Sequence, residues 1–541
     1  MMKKMDVQEE LYVNGRVFTA DAHMPFADAF TVKDGKVTWI GNREDVQGAA
    51  DSVVDFQGRT VMPGFVDAHM HPLHLAKGAK QIACTPPAVH SIEDLKKEVG
   101  KRREGQEAGG WIEGWGYDEG KLAEKRSPNR WDLDEAVADS PVVVTRTCGH
   151  IITVNSKALE LAGITKETAD PQGGKIDRDE RGEPTGVLRE SAKDLVKNCM
   201  PATTVEEDAE ELAELSDVLL SYGITAITDL MALTQPHDYL DMYRQAATKG
   251  LKQRAALYYL WEEFKNNPHL SAGQKEKEQQ IHVGGIKLFS DGSVSGRTAW
   301  VNPAFLGDSQ NFGIQTTTKE ELEEAEAAAR ENGVQIVVHA MGEQAIDLIV
   351  DTFHGKEPWL KDIPSVRIEH AAMPTSEAIA KAAEAGIAFV PQPVFIFAEI
   401  ESYLTNLGVE RTKSTYPVRS MLDAGIKVAF SSDAPATAWA EPANPFIGIQ
   451  SAVTRKAYDG TDTGAGQRID VPTALALYTR EAQRVTGIPD IGQLKEGYWA
   501  DFIVLDQPIL DMEPESIGEI KVLETYMSGK RVFEREAVKK Q

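Results

Sequence analysis

The chain has 541 residues, of which 42% are hydrophobic and 26% charged, values that are ordinary for a globular protein with an ample core. Its 58 Lys and Arg residues face 84 Asp and Glu residues, so the formal net charge is −26. This acidic balance argues against a nucleic acid and against an anionic membrane surface as partners.

The cellular setting is predicted from the cysteines and from the lack of targeting signals. Cys84, Cys148 and Cys199 are too few and too scattered for a disulfide framework, and they fit a reducing compartment. The N-terminal residues lack the apolar segment of a signal peptide, and no run approaches 18 apolar residues. We therefore expect a cytoplasmic protein without a transmembrane helix.

The two ends of the chain share a pattern of short strands. Residues 11–60 contain apolar and β-branched runs that are separated by Asn14-Gly15, Asp34-Gly35 and Gln57-Gly58. Asn-Gly and Asp-Gly favour tight hairpin turns because both positions tolerate positive φ. The C-terminal runs YWADFIVLD and KVLETYMSGKRVFE have the same character. The economical prediction is one small β-domain built from both ends.

The middle of the chain alternates short apolar runs with helical patterns. One such helix is predicted over residues 319–333, with Gly333 as its C-cap. Eight apolar runs with crossover helices predict an α/β fold, a (β/α)8 barrel. The runs are residues 64–71, 224–230, 254–260, 284–292, 334–340, 366–372, 387–393 and 427–435.

One long segment interrupts this alternation. Residues 85–215 lie between the first and second runs, which is far too long for a simple connection from a strand to a helix. We interpret them as an inserted subdomain. The predicted organisation is thus a β-domain from residues 1–63 and 485–541, a barrel domain over residues 64–484, and the insertion over residues 85–215 within it.

A pair of histidines ends the first apolar run. On a strand, residues i and i+2 face the same way, so His69 and His71 both point into the barrel. This happens at the C-terminal end of the strand, where the active sites of such barrels lie. Two neighbouring imidazoles on a rigid strand can bind one divalent metal ion.

Other runs end in residues of the same kind. His339, His370 and Asp433 each lie at the end of a predicted strand, and Lys287 lies within the run GGIKLFSDG. Any single histidine at such a place is as often a hydrogen-bonded core or rim residue. Four of the twelve histidines and one aspartate at corresponding strand ends favour a shared site instead.

Lys287 allows two interpretations. An ammonium group cannot bind a metal ion, and a lysine within a buried strand is costly. A neutral amine that reacts with carbon dioxide would give a carbamate, an anionic oxygen donor able to bridge two cations. The alternative is a salt bridge to Asp291 or to another acid. Residue type alone leaves both open.

Several stretches resemble motifs of one protein family. VMPGFVDAHMHPL resembles the opening metal motif of the metal-dependent amidohydrolase superfamily. GGIKLFSDGSVSGRTAW, VVHAMGEQA, RIEHA and SSDAP are similar to successive motifs of amidohydrolase family 3, the branch that includes N-substituted formamide deformylases. EPTGVLRESA resembles its insertion, and IGQLKEGYWADFIVLD resembles its C-terminal return to the β-domain.

The resemblance implies a TIM barrel with a composite β-sandwich from both termini and one or two divalent ions, with zinc as the expected metal. His69, His71 and Asp433 would bind the first ion, and His339 and His370 the second. Lys287 would be the carboxylated bridge. The implied reaction is cleavage of a non-peptide amide C–N bond of a small molecule by metal-activated hydroxide, with Asp433 as general base.

Residues for substrate binding are less clear from the sequence. The resemblance suggests that His150 and Trp115 face the substrate, although a backbone-bonded loop histidine and a packing tryptophan are equally consistent. Arg297 could neutralise a substrate carboxylate or form a structural salt bridge.

The sequence also leaves alternatives open for the reaction and for the oligomeric state. A deaminase, an isomerase or a non-catalytic binding protein could use the same barrel. The oligomeric state is open, with a homodimer as one possibility.

Overall fold

The computed structural model describes residues 9–46, 50–86, 88–147, 149, 151–171, 174–201, 203–437, 439 and 441–536. The chain forms two compact units. The first unit comprises Met1–His71, Leu212–Asp433 and Ala443–Gln541, and the second comprises Pro72–Glu211 and Ala434–Pro442.

The strands and α-helices follow in chain order. The strands are β1 (Glu10–Val13), β2 (Arg16–Phe18), β3 (Phe26–Ala27), β4 (Ala29–Lys33), β5 (Lys36–Gly41), β6 (Ser52–Asp55), β7 (Thr60–Pro63), β8 (Phe65–Met70), β9 (Ile82–Ala83), β10 (Ile112–Tyr117), β11 (Val142–Arg146), β12 (Ile151–Val154), β13 (Gly174–Arg178), β14 (Pro184–Glu190), β15 (Ile224–Ala232), β16 (Arg254–Leu260), β17 (Ile281–Phe289), β18 (Gln335–Ala340), β19 (Val366–His370), β20 (Ala388–Val390), β21 (Phe502–Leu505), β22 (Val522–Met527) and β23 (Lys530–Glu534). The helices are α1 (Pro72–Ala79), α2 (Ile92–Glu104), α3 (Arg130–Ala136), α4 (Ser156–Leu161), α5 (Asp194–Lys197), α6 (Val205–Ser221), α7 (Tyr239–Lys249), α8 (Trp261–Phe264), α9 (Lys319–Asn332), α10 (Glu343–Phe353), α11 (Ser376–Ala385), α12 (Pro393–Ala398), α13 (Ile400–Leu407), α14 (Val409–Ser414), α15 (Val418–Asp423), α16 (Pro445–Thr454), α17 (Val471–Leu477) and α18 (Arg480–Thr486).

The first unit contains a nearly closed, TIM-like parallel barrel. Its seven-stranded sheet has the order β20-β19-β18-β17-β16-β15-β8, and every pair in it is parallel. These strands are buried on both faces, which explains their almost continuous apolar sequences. The predicted helix over residues 319–333 is confirmed as α9, which ends at a left-handed Gly333.

The eighth predicted strand is not formed as a strand. In residues 427–435, Val428 makes a single parallel bridge with Phe389 of β20. The N–H of Asp433 then donates to the carbonyl of His69 over 2.7 Å, which links this run to the end of β8. Asp433 has a φ of +54°, a left-handed conformation that cannot continue a β-ladder. The run thus closes the gap in the barrel as irregular chain.

Strands from both chain ends pair in one sheet of the first unit. This six-stranded sheet has the order β23-β22-β21-β7-β2-β3, and a second sheet has the order β5-β4-β1-β6. Aromatic rings dominate the core of this β-region, with the Phe502 and Tyr526 rings stacked 4.3 Å apart. The core therefore needs residues from both termini.

The predicted turns have mixed outcomes. Asp34-Gly35 forms a tight hairpin between β4 and β5, with both residues at positive φ, as expected. At Asn14-Gly15 the hairpin prediction is wrong, because β1 and β2 belong to different sheets. Local turn propensity does not reveal whether the flanking strands pair with each other or with distant strands.

The second unit has its own sheet, of order β13-β14-β12-β11-β10-β9. Apolar side chains pack on it in two clusters, which include Leu95 and Val144 in one and Ile152 and Leu188 in the other.

Two further features concern the described residues of the whole chain. None of their helices combines the length and the apolar character that a membrane crossing requires. Cys84 and Cys199 are free thiols, and Cys148 lies outside the described residues.

A matched pair of valines tests the shared core of the β-region. Val61 on β7 is fully buried opposite Val504 of β21, whereas Val53 on β6 is 61% exposed. We expect Val61→Ala to lower the free energy of unfolding by about 2 kcal/mol, because it removes buried methyl groups and leaves a cavity. Val53→Ala should change it by less than about 0.5 kcal/mol. Urea unfolding followed by circular dichroism measures both, and equal effects would contradict this packing.

Candidate metal centre

Three predicted ligand residues converge at the end of β8. His69 is the fifth residue of this strand, and His71 is the first residue after the strand ends. The Nε2 atoms of His69 and His71 lie 3.1 and 2.8 Å from Oδ1 of Asp433. Each of the three residues offers a ligand atom, and these atoms all lie within 4.8 Å of one another. The cluster is thus compact enough for one cation to contact all three.

The charge state of Asp433 suits this role. Burial disfavours an ionised carboxylate, but His69 and His71 outweigh it and hold the pKa of Asp433 well below its usual range. Burial likewise opposes a charged His69, yet Asp433 raises the pKa of that imidazole on balance. The centre therefore concentrates an anionic oxygen next to two imidazoles inside an apolar barrel.

His339 and His370 join the same ring cluster. His339 lies on β18 and His370 ends β19, with their ring centroids 4.3 Å apart. The His370 ring lies 5.0 Å from that of His69. Burial lowers the pKa of His339 to about 3 and that of His370 well below the usual value. Both imidazoles are therefore neutral, the form that binds metals.

The hydrogen bonds of three histidines show which ring nitrogen donates to a fixed protein acceptor. His339 Nε2 lies 2.9 Å from the Gly292 carbonyl, which can only accept, so Nε2 carries the proton. His69 Nδ1 lies 2.7 Å from Oε2 of Glu369, a carboxylate with a lowered pKa, so Nδ1 is the donor.

The third histidine follows the same rule. His370 Nδ1 lies 2.7 Å from Oε1 of Gln392. The amide nitrogen of Gln392 donates to Val390 and Ser431, so its oxygen is the acceptor. In all three residues one nitrogen donates to a fixed acceptor, which leaves the other ring nitrogen to bind a metal ion. This is the arrangement of metal-binding histidines, and the residues fit a divalent cation.

Lys287 lies in the same part of the barrel and is 1% exposed. No hydrogen-bond partner for its amine is found within the described part of the chain, and the amine lies 4.9 Å from the ring of Phe289. Burial lowers its pKa to about 8, although Glu369 and Asp433 oppose this shift. The salt bridge to Asp291 is absent among the described residues, because Asp291 accepts the backbone N–H groups of residues 300, 341 and 342.

Three residues were predicted to contact the substrate, and the structure describes two of them. His150 lies outside the described residues. Trp115 lies on β10 of the second unit, and its buried indole N–H has no hydrogen-bond partner among the described residues. Arg297 donates to the Leu306 carbonyl over 3.3 Å and packs over the Phe305 ring. Its contacts are thus within its own loop.

Sequence reasoning missed the residues that orient the histidines. Glu369 directly precedes His370, and Gln392 follows β20. Both are fully buried, and each holds one histidine by its Nδ1. The available signal was the sequence VRIEHAA, because an Arg and a Glu within an otherwise apolar strand are rarely buried unless paired.

The metal site predicts a loss of affinity when one ligand is removed. We expect His69→Ala to bind zinc at least about tenfold more weakly than the unchanged chain, because one of three converging donor atoms is lost. His282→Gln is the control. His282 is also buried, but it lies at the start of β17, near the opposite end of that strand from Lys287. Zinc content after dialysis against buffered zinc measures both variants. Equal retention by the two would contradict the site.

Known proteins similar to this chain agree with a metal-dependent hydrolase. N-substituted formamide deformylase of Arthrobacter pascens is 27% identical over 98% of this chain and 99% of its own length. A solved metal-dependent hydrolase of Pyrococcus horikoshii, itself uncharacterised, is 25% identical and covers 94% of this chain and 99% of its own, with a TM-score of 0.74. A second one, from Pyrococcus furiosus, is 26% identical, covers 93% of this chain and 100% of its own, and has a TM-score of 0.73. The sequence pattern of the amidohydrolase family matches residues 52–533. The chain therefore belongs to the amidohydrolase family and is a hydrolase of carbon–nitrogen bonds.

Proposed function

We propose that this enzyme hydrolyses a non-peptide amide bond of a small molecule at a divalent metal centre. The observation that carries the proposal is the convergence of His69, His71 and Asp433 within 4.8 Å at the end of β8. The hydrogen bonds that orient the rings of His69, His339 and His370 support it.

We propose zinc as the metal, with one or two ions bound. Imidazole and carboxylate donors suit zinc, although the same set accepts other transition metals. His69, His71 and Asp433 would bind the first ion, and His339 and His370 the second. Lys287 would bridge the two ions as a carbamate, and its buried amine has no hydrogen-bond partner among the described residues.

The residues of the chain divide the chemistry between them. A bound divalent ion supplies a Lewis acid, which makes water more acidic and a carbonyl more electrophilic. Asp433 takes a proton from the attacking water as the water oxygen bonds to the amide carbon. The same carboxyl then returns that proton to the leaving nitrogen as the C–N bond breaks, so an acid and an amine are released.

For the substrate we propose an N-acyl or N-formyl compound. The similarity to an N-substituted formamide deformylase over almost the whole chain supports this class. His150, Trp115 and Arg297 are the proposed substrate contacts, and the buried indole N–H of Trp115 has no hydrogen-bond partner among the described residues. Loops and insertions set the substrate specificity of this kind of barrel.

We also propose the domain organisation that the sequence predicts. Residues 1–63 and 485–541 would form a composite β-sandwich beside the barrel domain of residues 64–484, and residues 85–215 would be the inserted subdomain. The antiparallel pairing of β7 with β21 supports a domain shared by both ends.

Removal of the proposed base tests the mechanism. We expect Asp433→Asn to lower kcat at least about 10³-fold, because an amide cannot take the proton from water. The asparagine still offers an oxygen, so much of the metal should remain bound. Asp423→Asn, a change at an exposed aspartate of α15, is the control and should leave kcat unchanged. Turnover of N-formyl and N-acyl substrates, measured with metal content, decides it. A near-normal kcat for Asp433→Asn would show that another group is the base.

Replacement of Lys287 tests the bridge. We expect Lys287→Ala to lose activity and to hold less metal, because the change removes the proposed bridging carbamate. Acetate or propionate can enter the space left by the side chain and should restore part of the activity. The unchanged enzyme, given the same acids, should gain nothing. Full activity of Lys287→Ala without added acid would contradict a bridging role.

A further inference from the structure

Arg367 is a charged side chain in the middle of the barrel. It lies on β19, two residues before Glu369, and both side chains are 0% exposed. Residues i and i+2 of a strand face the same way, so both enter the barrel interior. A buried cation is costly unless it is paired and hydrogen-bonded, so the contacts of Arg367 have to be accounted for in full.

Three groups receive hydrogen bonds from Arg367. Its Nε donates to Oε1 of Glu369 over 3.0 Å. Its Nη2 donates over 2.6 Å to the carbonyl of Ala68, the residue directly before His69. Its Nη1 donates over 3.0 Å to the hydroxyl of Tyr258. The guanidinium thus contacts the backbone of β8 and the carboxylate that bonds to the His69 ring.

The contacts continue away from the metal centre. The Tyr258 hydroxyl donates to Gln335 over 2.6 Å, and the Gln335 amide donates to the carbonyls of Pro364 and Val485. Gly285 of β17 makes room for this column, because a Cβ there would lie 2.7 Å from the Tyr258 ring. Every polar group of the column has a defined partner, and so the orientation of Arg367 is held from four barrel strands.

We propose that Arg367 is a positioning residue for the metal centre. It holds the Glu369 carboxylate in the orientation in which Oε2 accepts the hydrogen bond from Nδ1 of His69, so that Nε2 is the ring nitrogen on the side of Asp433. It also holds the carbonyl of Ala68, and with it the backbone that carries His69. The inference rests on the proposed function, since it assigns Arg367 a role in the metal centre used there.

The hydrogen bond from Nδ1 of His69 to Glu369 is the direct readout, measured in the metal-free protein. With ¹⁵N-histidine labelling, His69→Asn identifies the signals of His69 in the spectrum. We expect the unchanged chain to show a slowly exchanging Nδ1–H proton on His69, because Glu369 accepts it over 2.7 Å. In Arg367→Met, Glu369 loses the group that fixes its orientation, and this proton signal should be lost to exchange with water. Arg367→Lys keeps a donor beside Glu369 and should restore most of the signal.

Zinc affinity is the second readout. We expect Arg367→Met to bind zinc about 10- to 100-fold more weakly, the usual effect of losing a group that orients a metal ligand. Arg254→Met is the matched control, because Arg254 also lies on a barrel strand and also pairs with a buried acid, Asp501, at 3.2 Å. It removes a comparable ion pair at the start of β16, so it should leave zinc affinity within about twofold.

Arg367→Met leaves an unpaired buried carboxylate and can fail to fold. The double variant Arg367→Met/Glu369→Gln removes both charges, and loss of a complete buried pair is often tolerated. We expect it to fold and still to bind zinc at least about tenfold more weakly. An unchanged Nδ1–H signal of His69 and unchanged zinc affinity in the folded variants would overturn the proposal, as would an equal loss of affinity in Arg254→Met. If the unchanged chain binds no zinc, the proposed function fails, while the Nδ1–H signal still decides the role of Arg367.

Discussion

The hydrogen bond between His69 and Glu369 is the interaction on which the candidate centre depends. At 2.7 Å it binds the Nδ1 side of the imidazole and turns Nε2 towards Asp433. The bond needs an ionised Glu369 in the barrel interior, and the ion pair with Arg367 stabilises that buried charge. A buried carboxylate without that cation would take up a proton or leave the interior.

Two left-handed residues complete the geometry. His370 directly follows Glu369, and neighbours on a regular strand face opposite sides. With a φ of +68°, His370 leaves the strand geometry, and its ring reaches the rings of His69 and His339. Asp433 has a φ of +54° at the point where its N–H contacts the His69 carbonyl. Such conformations are strained for residues other than glycine, and functional sites are where proteins retain them.

Much of the fold could be predicted from the sequence, since buried parallel strands are apolar runs and helix ends carry capping residues such as Gly333. The run 427–435 had the composition of a strand, but it makes a single bridge at Val428, and the N–H of Phe430 donates to the carbonyl of Leu477, a partner that composition does not encode. Asn14-Gly15 shows a similar limit, because a turn signal does not specify which strands pair.

For the site, the sequence by itself determined the chemistry: His69, His71, His339, His370 and Asp433 are metal-ligand types placed at strand ends, where a parallel barrel brings them together. Only the tertiary structure decided the partners, namely that Glu369, Gln392 and the Gly292 carbonyl each hold one imidazole, and that Asp291 bonds to backbone rather than to Lys287. Residue type determines which hydrogen bonds a side chain can donate or accept. Which group receives that bond depends on segments 22 to 300 residues apart in sequence, and only folding brings them into contact.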